Sequence, residues 1–455
     1  MLVRFAVGNF MSFKEVTEFK MAAGKVQKHR GHVATLNDKR VLKGAFAFGA
    51  NASGKSNLIN AMEFVQNMVF EGVNAGDCIN KHFRIDSSYK DKVGVFQFDI
   101  FEDGHFYSYG LAISYRTAEV EEEWLYLIDD EDVRIFERGR DESGKMVVVC
   151  GEENTLVESD KKRFEVLAEA FEKGNMGGHT FLQRMEEMSS RESEYYMHFH
   201  RVLDWFGKLQ IIYPDSIYGN IAGLLSDKII RQFFESHLKH LDTGVVSIEQ
   251  IEKDFDSLFS NQPKDVVEKL KENIRKRLKN NEGFSQVVDG SHHTIALKDG
   301  DIKAVETLFN HGNSDDLFKY TDESDGTQRL LNLLPMYRSI FFDRVFVVDE
   351  IDRSLHTKAT LEFIRLFYDA KEGQNSQLIA TTHDTNILDL DLLRQDEIWL
   401  VEKTDEGEST LKPLSAYKPR FDKDVKKDYL IGRYGAVPIF DSLALLEDED
   451  GEVSV

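Results

Sequence analysis

Cysteine, proline and long apolar runs are all scarce in this chain of 455 residues. There are 2 cysteines and 6 prolines. Cys78 and Cys150 form no C-x-x-C pair and show no ligand spacing, which argues against structural zinc and disulfide stapling and fits a reducing compartment. No apolar run approaches the roughly 18 residues of a membrane span, and polar residues interrupt the amino-terminal MLVRFAVGNFMSF where a secretory segment needs a continuous apolar core. No membrane association and a cytoplasmic location are therefore expected. Positive charge is also short. A net charge of −23 opposes general attraction to nucleic-acid phosphates, so any nucleic-acid contact must be local. Two basic stretches are candidates, 264–279 with seven Lys/Arg against three acids and 418–433 with six against three, although solvated helix faces held by i,i+4 pairs explain them better. The histidine pairs His198/His200 and His237/His240 have no further ligands nearby, which favours packed or exposed side chains over a metal site.

What is present is the composition of an ordinary globular protein, 41% hydrophobic and 30% charged, and long enough for two domains or one domain with a large insertion. Its most informative segment is FGANASGKSNLINAM, from Phe48 to Met62. Gly49, Gly54, Lys55 and Ser56 occupy every fixed position of the pattern G-x-x-x-x-G-K-[ST]. Small residues let successive N–H groups, from Asn51 through Ser53 to Asn57, turn toward one anion. Lys55 then reaches the β- and γ-phosphates, and the Ser56 hydroxyl ligates Mg²⁺. The flanks agree: VLKGAFAF (41–48) reads as a short apolar strand, and Leu58, Ile59, Met62, Val65 and Val69 have helical spacing.

Residues 1–21 read as two strands about the turn GNFMSF, and 93–115 as a hairpin about Glu102-Asp103-Gly104. Further strand-like pieces follow at 123–128, 133–138 and 146–150. From about Lys161 to Leu278 the apolar spacing becomes three and four, predicting a mainly helical region with a break at Tyr213-Pro214-Asp215. The final third returns to alternation. RVFVVDE (344–350) and QLIATTH (377–383) read as buried parallel strands of an α/β layer. Asp349 and Glu350 then lie at the carboxyl edge where such sheets bind ligands, Asp349 suited to Mg²⁺ and Glu350 to activating water. His383 reaches the same edge, and Ser324 with Gly326, in ESDGTQR (323–329), supplies a hydroxyl and N–H groups at a helix start.

The order of phosphate loop, ESDGTQR, VVDEID and TTHD resembles the Walker A, signature, Walker B with D-loop, and switch-histidine motifs of ABC-type ATPases with SMC-like heads. More narrowly, NFMSF, GANASGKSNL, the signature and GRYGAVP (432–438) resemble the OLD-related ATPases of bacterial abortive-infection and anti-phage operons, of RloA and AbiLi type. The resemblance covers roughly 1–115 and 310–440. It implies an ATPase using ATP and Mg²⁺, with Glu350 as hydrolytic carboxylate and His383 at the γ-phosphate or its water. It also implies that Ser324, Gly326 and Asp352 meet a nucleotide held by a second copy, giving a homodimer or a higher even-numbered homo-oligomer, and that the ATPase works beside a separately encoded, nuclease-like effector.

The expected fold is α/β: an ABC-ATPase-type head with an antiparallel β subdomain and a mixed or parallel P-loop core, plus a mainly helical insertion. The expected divisions are 1–115 and 311–440 for the two halves of the head, 116–310 for the insertion (β, then mainly helical) and 441–455 for an acidic tail. Two departures stand out. Asp325 and Thr327 replace the first glycine and the glutamine of the usual signature, and no Q-loop glutamine can be placed beyond Gln97 as one candidate, better read as an ordinary outward-facing residue. The insertion lacks a zinc-hook C-x-x-C, and about 70 residues after His383 are too few for a fused TOPRIM nuclease. A repair or recombination ATPase acting directly on DNA is the alternative function.

Overall fold

The computed structural model describes residues 1–129, 131–151, 156–174, 176–188, 191, 193–216, 224–225, 227–278, 284–288, 291–298, 301–369, 375–419 and 424–437. In chain order the principal elements begin β1 (Leu2–Gly8), β2 (Thr17–Lys20), β3 (Val33–Leu36), β4 (Lys39–Leu42), β5 (Gly44–Phe48), α1 (Lys55–Glu71), β6 (Gly94–Glu102), β7 (His105–Ser114), β8 (Glu119–Ile128), β9 (Asp132–Arg140) and β10 (Met146–Cys150). There follow α2 (Glu158–Glu172), α3 (Phe181–Met188), α4 (Glu194–Lys208), β11 (Leu209–Ile212), α5 (Lys228–His240), β12 (Ser247–Asp254), α6 (Lys264–Leu278), β13 (Phe284–Val288), β14 (Ser291–Lys298) and β15 (Asp301–Asn310). The chain continues through α7 (Asp325–Leu333), β16 (Val345–Val348), α8 (Thr357–Asp369), β17 (Gln377–Thr382), β18 (Ile398–Lys403), β19 (Ser409–Pro413) and α9 (Val425–Leu430). Among the described residues no helix is long and apolar enough to cross a membrane.

Two compact units divide the chain. The first comprises residues 3–28, 45–202 and 388 onward. Its seven-stranded sheet has the order β10-β9-β8-β7-β6-β1-β2, with antiparallel pairing along β6 to β10 and between β1 and β2. Period-two burial in β6 turns Phe96, Phe98 and Ile100 inward, where Phe98 meets Phe5 at 4.6 Å between ring centroids. Helices α2 to α4 contribute Phe164, Phe171, Phe181 and Phe199 to an aromatic cluster with Phe136 of β9. In the same unit β5 pairs parallel with β18, which pairs antiparallel with β19.

Residues 1–2, 29–44 and 203–387 form the second unit. Here β11, β16 and β17 are parallel, in register through Ile212↔Val348↔Ala380. Strands β16 and β17 are buried throughout, as expected of a parallel layer covered on both faces. A separate antiparallel sheet has the order β12-β15-β14-β13. One face of α6 packs Val267 and Ile274 against Phe255, Ile295 and Ile302 beside it. Lys264, Lys269 and Arg275 are exposed on the other side of this amphipathic helix, and Lys271 is tied to Asp256 and Glu268.

Several expectations change here. VLKGAFAF is two strands, β4 and β5, and the sheet entered at β6 continues through β8 past residue 115. The expectation of a mainly helical 161–278 fails at β11 and β12, and β13 to β15 add a third β-rich segment to the insertion. LQII (209–212) reads locally as the end of α4, yet it is a strand because β16 offers it a parallel partner. IEQIEKD is likewise a strand through a distant partner, here the antiparallel β15. The acidic tail, residues 420–423 of the second basic stretch, and position 438 lie outside the described residues.

Candidate functional site

In the first unit, β5 is buried along its whole length and the chain must turn sharply as it leaves the layer. A Cβ on Gly49 would overlap Val401 O and stand 2.7 Å from Ser53 Oγ, so only glycine fits there. Ala52 is left-handed (φ 61°), and Gly54 (φ 108°, ψ 11°) starts α1. Helix α1 has no side-chain cap and no acidic residue in its first turn, so its amino-terminal amides and dipole face no anion of the helix's own. The buried Lys55 Nζ donates to Gly49 O (2.9 Å) and Ala50 O (3.0 Å). Beneath the loop, Ser409 Oγ donates to Ser53 O (2.6 Å) and shares a hydrogen bond with Ser12 Oγ (2.7 Å), which accepts from Asn57 Nδ2 (2.7 Å). Ser53 Oγ is buried without a hydrogen-bond partner among the described residues. That orphan hydroxyl, the glycine cradle and the uncapped helix start fit a bound phosphate. Asn51 is exposed on the loop, and Ser56 lies half-buried in the first turn of α1.

The second unit gathers the carboxylates. Asp349, 5% exposed, follows the last residue of β16. Its Oδ1 accepts from Thr381 Oγ1 (2.6 Å), and the same hydroxyl accepts from Glu350 N (2.8 Å). Glu350 has φ 47°, a left-handed conformation that costs a non-glycine residue roughly 1–3 kcal/mol and must be held by its surroundings. Three groups hold its main chain, one of them the Arg353 N–H, which donates to Glu350 O (3.0 Å). Thr381 takes the N–H, and Arg329 Nη2 donates to Glu350 O (3.1 Å) and Asp349 O (2.9 Å). Burial pulls the Arg329 guanidinium below its ordinary value, against the attraction of Asp349. The Glu350 carboxylate accepts from Arg353 Nη1 (3.2 Å), and that hydrogen bond is the largest cause raising the Arg353 guanidinium above its usual range. The Asp352 carboxylate accepts from His383 N at 3.4 Å, while the imidazole is exposed.

Ser324 is the N-cap of α7, its Oγ accepting from Thr327 N (3.2 Å). Gly326 sits where a Cβ would approach Ser354 O to 2.9 Å, so the signature helix and the loop after Asp352 are closely packed. Buried Glu323 accepts from His311 Nε2 (2.8 Å). Between these segments lies a polar cavity of about 300 Å³ lined by residues including Asp215, Tyr320, Asp325, Gln328 and Arg353.

The structure therefore assembles two clusters, one in each unit. Gly49 to Asn57 with Ser12 and Ser409 form the first; Ser324, Gly326, Asp349, Glu350, Asp352 and His383 with Thr381 and Arg329 form the second. Gln97, the Q-loop candidate, donates within its own sheet to Asp99 Oδ1 (3.0 Å) and Ser108 Oγ (2.8 Å). Sequence reasoning misses the roles of Ser12, Ser409, Thr381 and Arg329. Arg329 and Thr381 lie inside recognised motifs and Ser12 inside NFMSF, whereas Ser409 carries no local signal. Among the described residues no group of three or more His, Cys, Asp and Glu is arranged to hold a metal; His198 instead bonds Tyr107 and His240 bonds Glu362.

Among known proteins, a solved SMC head domain from Thermotoga maritima aligns over 90% of this chain and 98% of its own, with 14% identity and a TM-score of 0.36. No curated protein matches. The profile of the AAA_21 family, described as "AAA domain, putative AbiEii toxin, Type IV TA system", matches residues 48–144 and 155–389. That match spans more than half of the chain, from the end of β5 past β17, and contains the phosphate-loop, signature and Asp349–Glu350 motifs: the chain belongs to the AAA_21 family of AAA domains.

Proposed function

We propose that this protein is an Mg²⁺-dependent ATPase of ABC type, belonging to the OLD-related group of anti-phage defence ATPases, whose nucleotide state controls a separate, nuclease-like effector. The observation that carries the ATPase reading is the loop 49–54, held between a buried strand and an uncapped helix start with Lys55 buried beside it. Its N–H groups and Lys55 bind the phosphates of ATP. Ser56 and Asp349 are each suited to ligate Mg²⁺, which would neutralise phosphate charge when bound; one or two protein ligands suffice for this ion. Glu350 orients and deprotonates the attacking water, and His383 contacts the γ-phosphate or that water. Ser324 and Gly326, at the amino end of α7, receive the nucleotide of a second copy, with Asp352 at the same interface, so that a homodimer closes two sites. The defence role draws support from the family description, which names a toxin of a Type IV TA system.

Equilibrium binding of a fluorescent ATP analogue and Mg²⁺-dependent phosphate release test this reading. Lys55→Ala abolishes binding, and Glu350→Gln binds ATP but turns it over only at a small residual rate and accumulates as a dimer by light scattering. Wild-type ATP affinity in Lys55→Ala refutes the assignment of the loop. A chain that hydrolyses ATP but neither co-purifies with the product of its neighbouring gene nor alters phage plating is not a defence regulator, and DNA-stimulated, salt-sensitive hydrolysis identifies the repair-type alternative.

A further inference from the structure

Arg329 is the last residue of ESDGTQR, five positions beyond the N-cap Ser324 on the same helix. Its side chain is 3% exposed. The two ends of the guanidinium donate to three main-chain carbonyls: Nη1 to Tyr213 O (2.8 Å), just beyond β11, and Nη2 to Asp349 O (2.9 Å) and Glu350 O (3.1 Å), just beyond β16. A planar fork with fixed donor directions suits this bridging, and a lysine ammonium cannot reproduce it. The carbonyl of Glu350 accepts from Arg329 and from the Arg353 N–H, and its N–H goes to Thr381, with the residue in a left-handed conformation between them.

We propose that Arg329 is the positioning residue of the Glu350 carboxylate, fixing its main chain and linking it rigidly to the signature helix. The proposal rests on the hydrolytic role assigned above to Glu350. Arg329 touches neither nucleotide nor water in this scheme; it acts through the peptide units on either side of Glu350. Because one helix carries both Ser324 and Arg329, a displacement of α7 at its amino end reaches Glu350 through two hydrogen bonds. The bond to Tyr213 O anchors the guanidinium on the neighbouring strand, so Glu350 is referred to the α/β layer as well as to α7.

The test uses the full-length protein and Arg329→Lys, which keeps charge and length, with Arg329→Ala as the larger change. Misplacing a catalytic group by about 1 Å costs on the order of 100-fold in rate. In Arg329→Lys, kcat for ATP hydrolysis is expected to fall about 10- to 100-fold while the dissociation constant for the fluorescent ATP analogue stays within about twofold. In the Glu350→Gln background the same substitution is expected to change the residual rate by less than about twofold, since a residue acting through Glu350 has nothing left to position. Hydrogen exchange gives a readout independent of turnover: the peptide 345–355 exchanges faster in Arg329→Lys, while a peptide covering β5 and the phosphate loop does not. A kcat within twofold of wild type in Arg329→Lys overturns the proposal. So does an equal fold-loss in the wild-type and Glu350→Gln backgrounds, which marks a structural role. Wild-type protein without measurable hydrolysis overturns the Glu350 reading and this one with it; unaltered kcat in an active enzyme overturns this one alone.

Discussion

Gly54 and Ser409 should be energetically coupled, and the geometry fixes the sign. An alanine at 54 would keep φ at 108°, outside the range available to residues with a Cβ, at about 1–3 kcal/mol. Its methyl would also overlap Ser409 Oγ and stand 2.8 Å from Ser12 Oγ and 2.9 Å from Ser409 Cβ, a crowding worth about 1–3 kcal/mol more in a packed site. Ser409→Ala alone removes the donor to Ser53 O and disturbs the hydroxyl pair with Ser12, costing about 1–3 kcal/mol where the acceptors are buried. Together the two changes cost less than their sum. Removing Oγ eliminates the overlap with that atom but not the φ term or the Cβ contact, so a coupling of about 1–2 kcal/mol in favour of the double variant is expected. The assay is native-state hydrogen exchange of peptide 49–62 in wild type, both single variants and the double variant, read as a local opening free energy, with ATP affinity beside it. Additivity within about 0.5 kcal/mol would mean that the serine network does not shape the loop.

Other expectations follow from the same cores. Thr381→Val removes the hydroxyl that bonds Asp349 and Glu350 N and should lower kcat about tenfold or more while ATP affinity holds, and Thr381→Ser should restore most of the rate; an unchanged kcat in the valine variant sinks this. Arg138→Met leaves the fully buried Glu123 carboxylate without its charged partner and should cost about 3–5 kcal/mol in urea unfolding, with partial recovery when Glu123→Gln is added; a loss below about 1 kcal/mol contradicts the buried-pair assignment. Burial, aided by Arg201 and His105, pulls the His198 imidazole from 6.5 down to about 4, so the folded protein keeps it neutral where the unfolded chain takes up a proton. Its contribution is complete above about 6.5 and is lost as pH falls toward 4; His198→Phe should flatten the unfolding midpoint against pH across that window, and an unaltered slope removes His198 as its source.

The parts of the site written in consecutive residues are legible from the sequence alone. GANASGKS has a spacing that only a phosphate loop requires, and VFVVDE combines an apolar run with a terminal acid pair, so both can be placed on strand ends. The Glu102-Asp103-Gly104 turn is equally plain, because hairpin pairing is local. What escapes depends on partners far along the chain. LQII is four residues long and follows α4 without a turn; nothing in it distinguishes a last helical turn from a strand until Val345–Val348 is available to pair with it. The β12 to β15 sheet is hidden for a related reason, since Ile248 and Ile251 of IEQIEKD are three apart, a helical spacing that the strand splits between a buried and an exposed face. Arg329 stands inside a recognised motif, but its bonds go to carbonyls, and main-chain acceptors leave no trace in residue type.

The interleaved division of the chain governs how the protein can be made and cut. Its path passes between the units after residues 2, 28, 44, 202 and 387, so neither unit corresponds to one continuous stretch of the gene. A ribosome releases β11 long before β16, and the parallel partner that defines this strand does not exist until residues 345–348 emerge. Truncation libraries aimed at an isolated nucleotide-binding fragment should therefore yield insoluble products. A nick in a surface loop after folding should leave the two pieces associated, and surface loops rather than unit boundaries are where tags and fluorescent labels can be inserted.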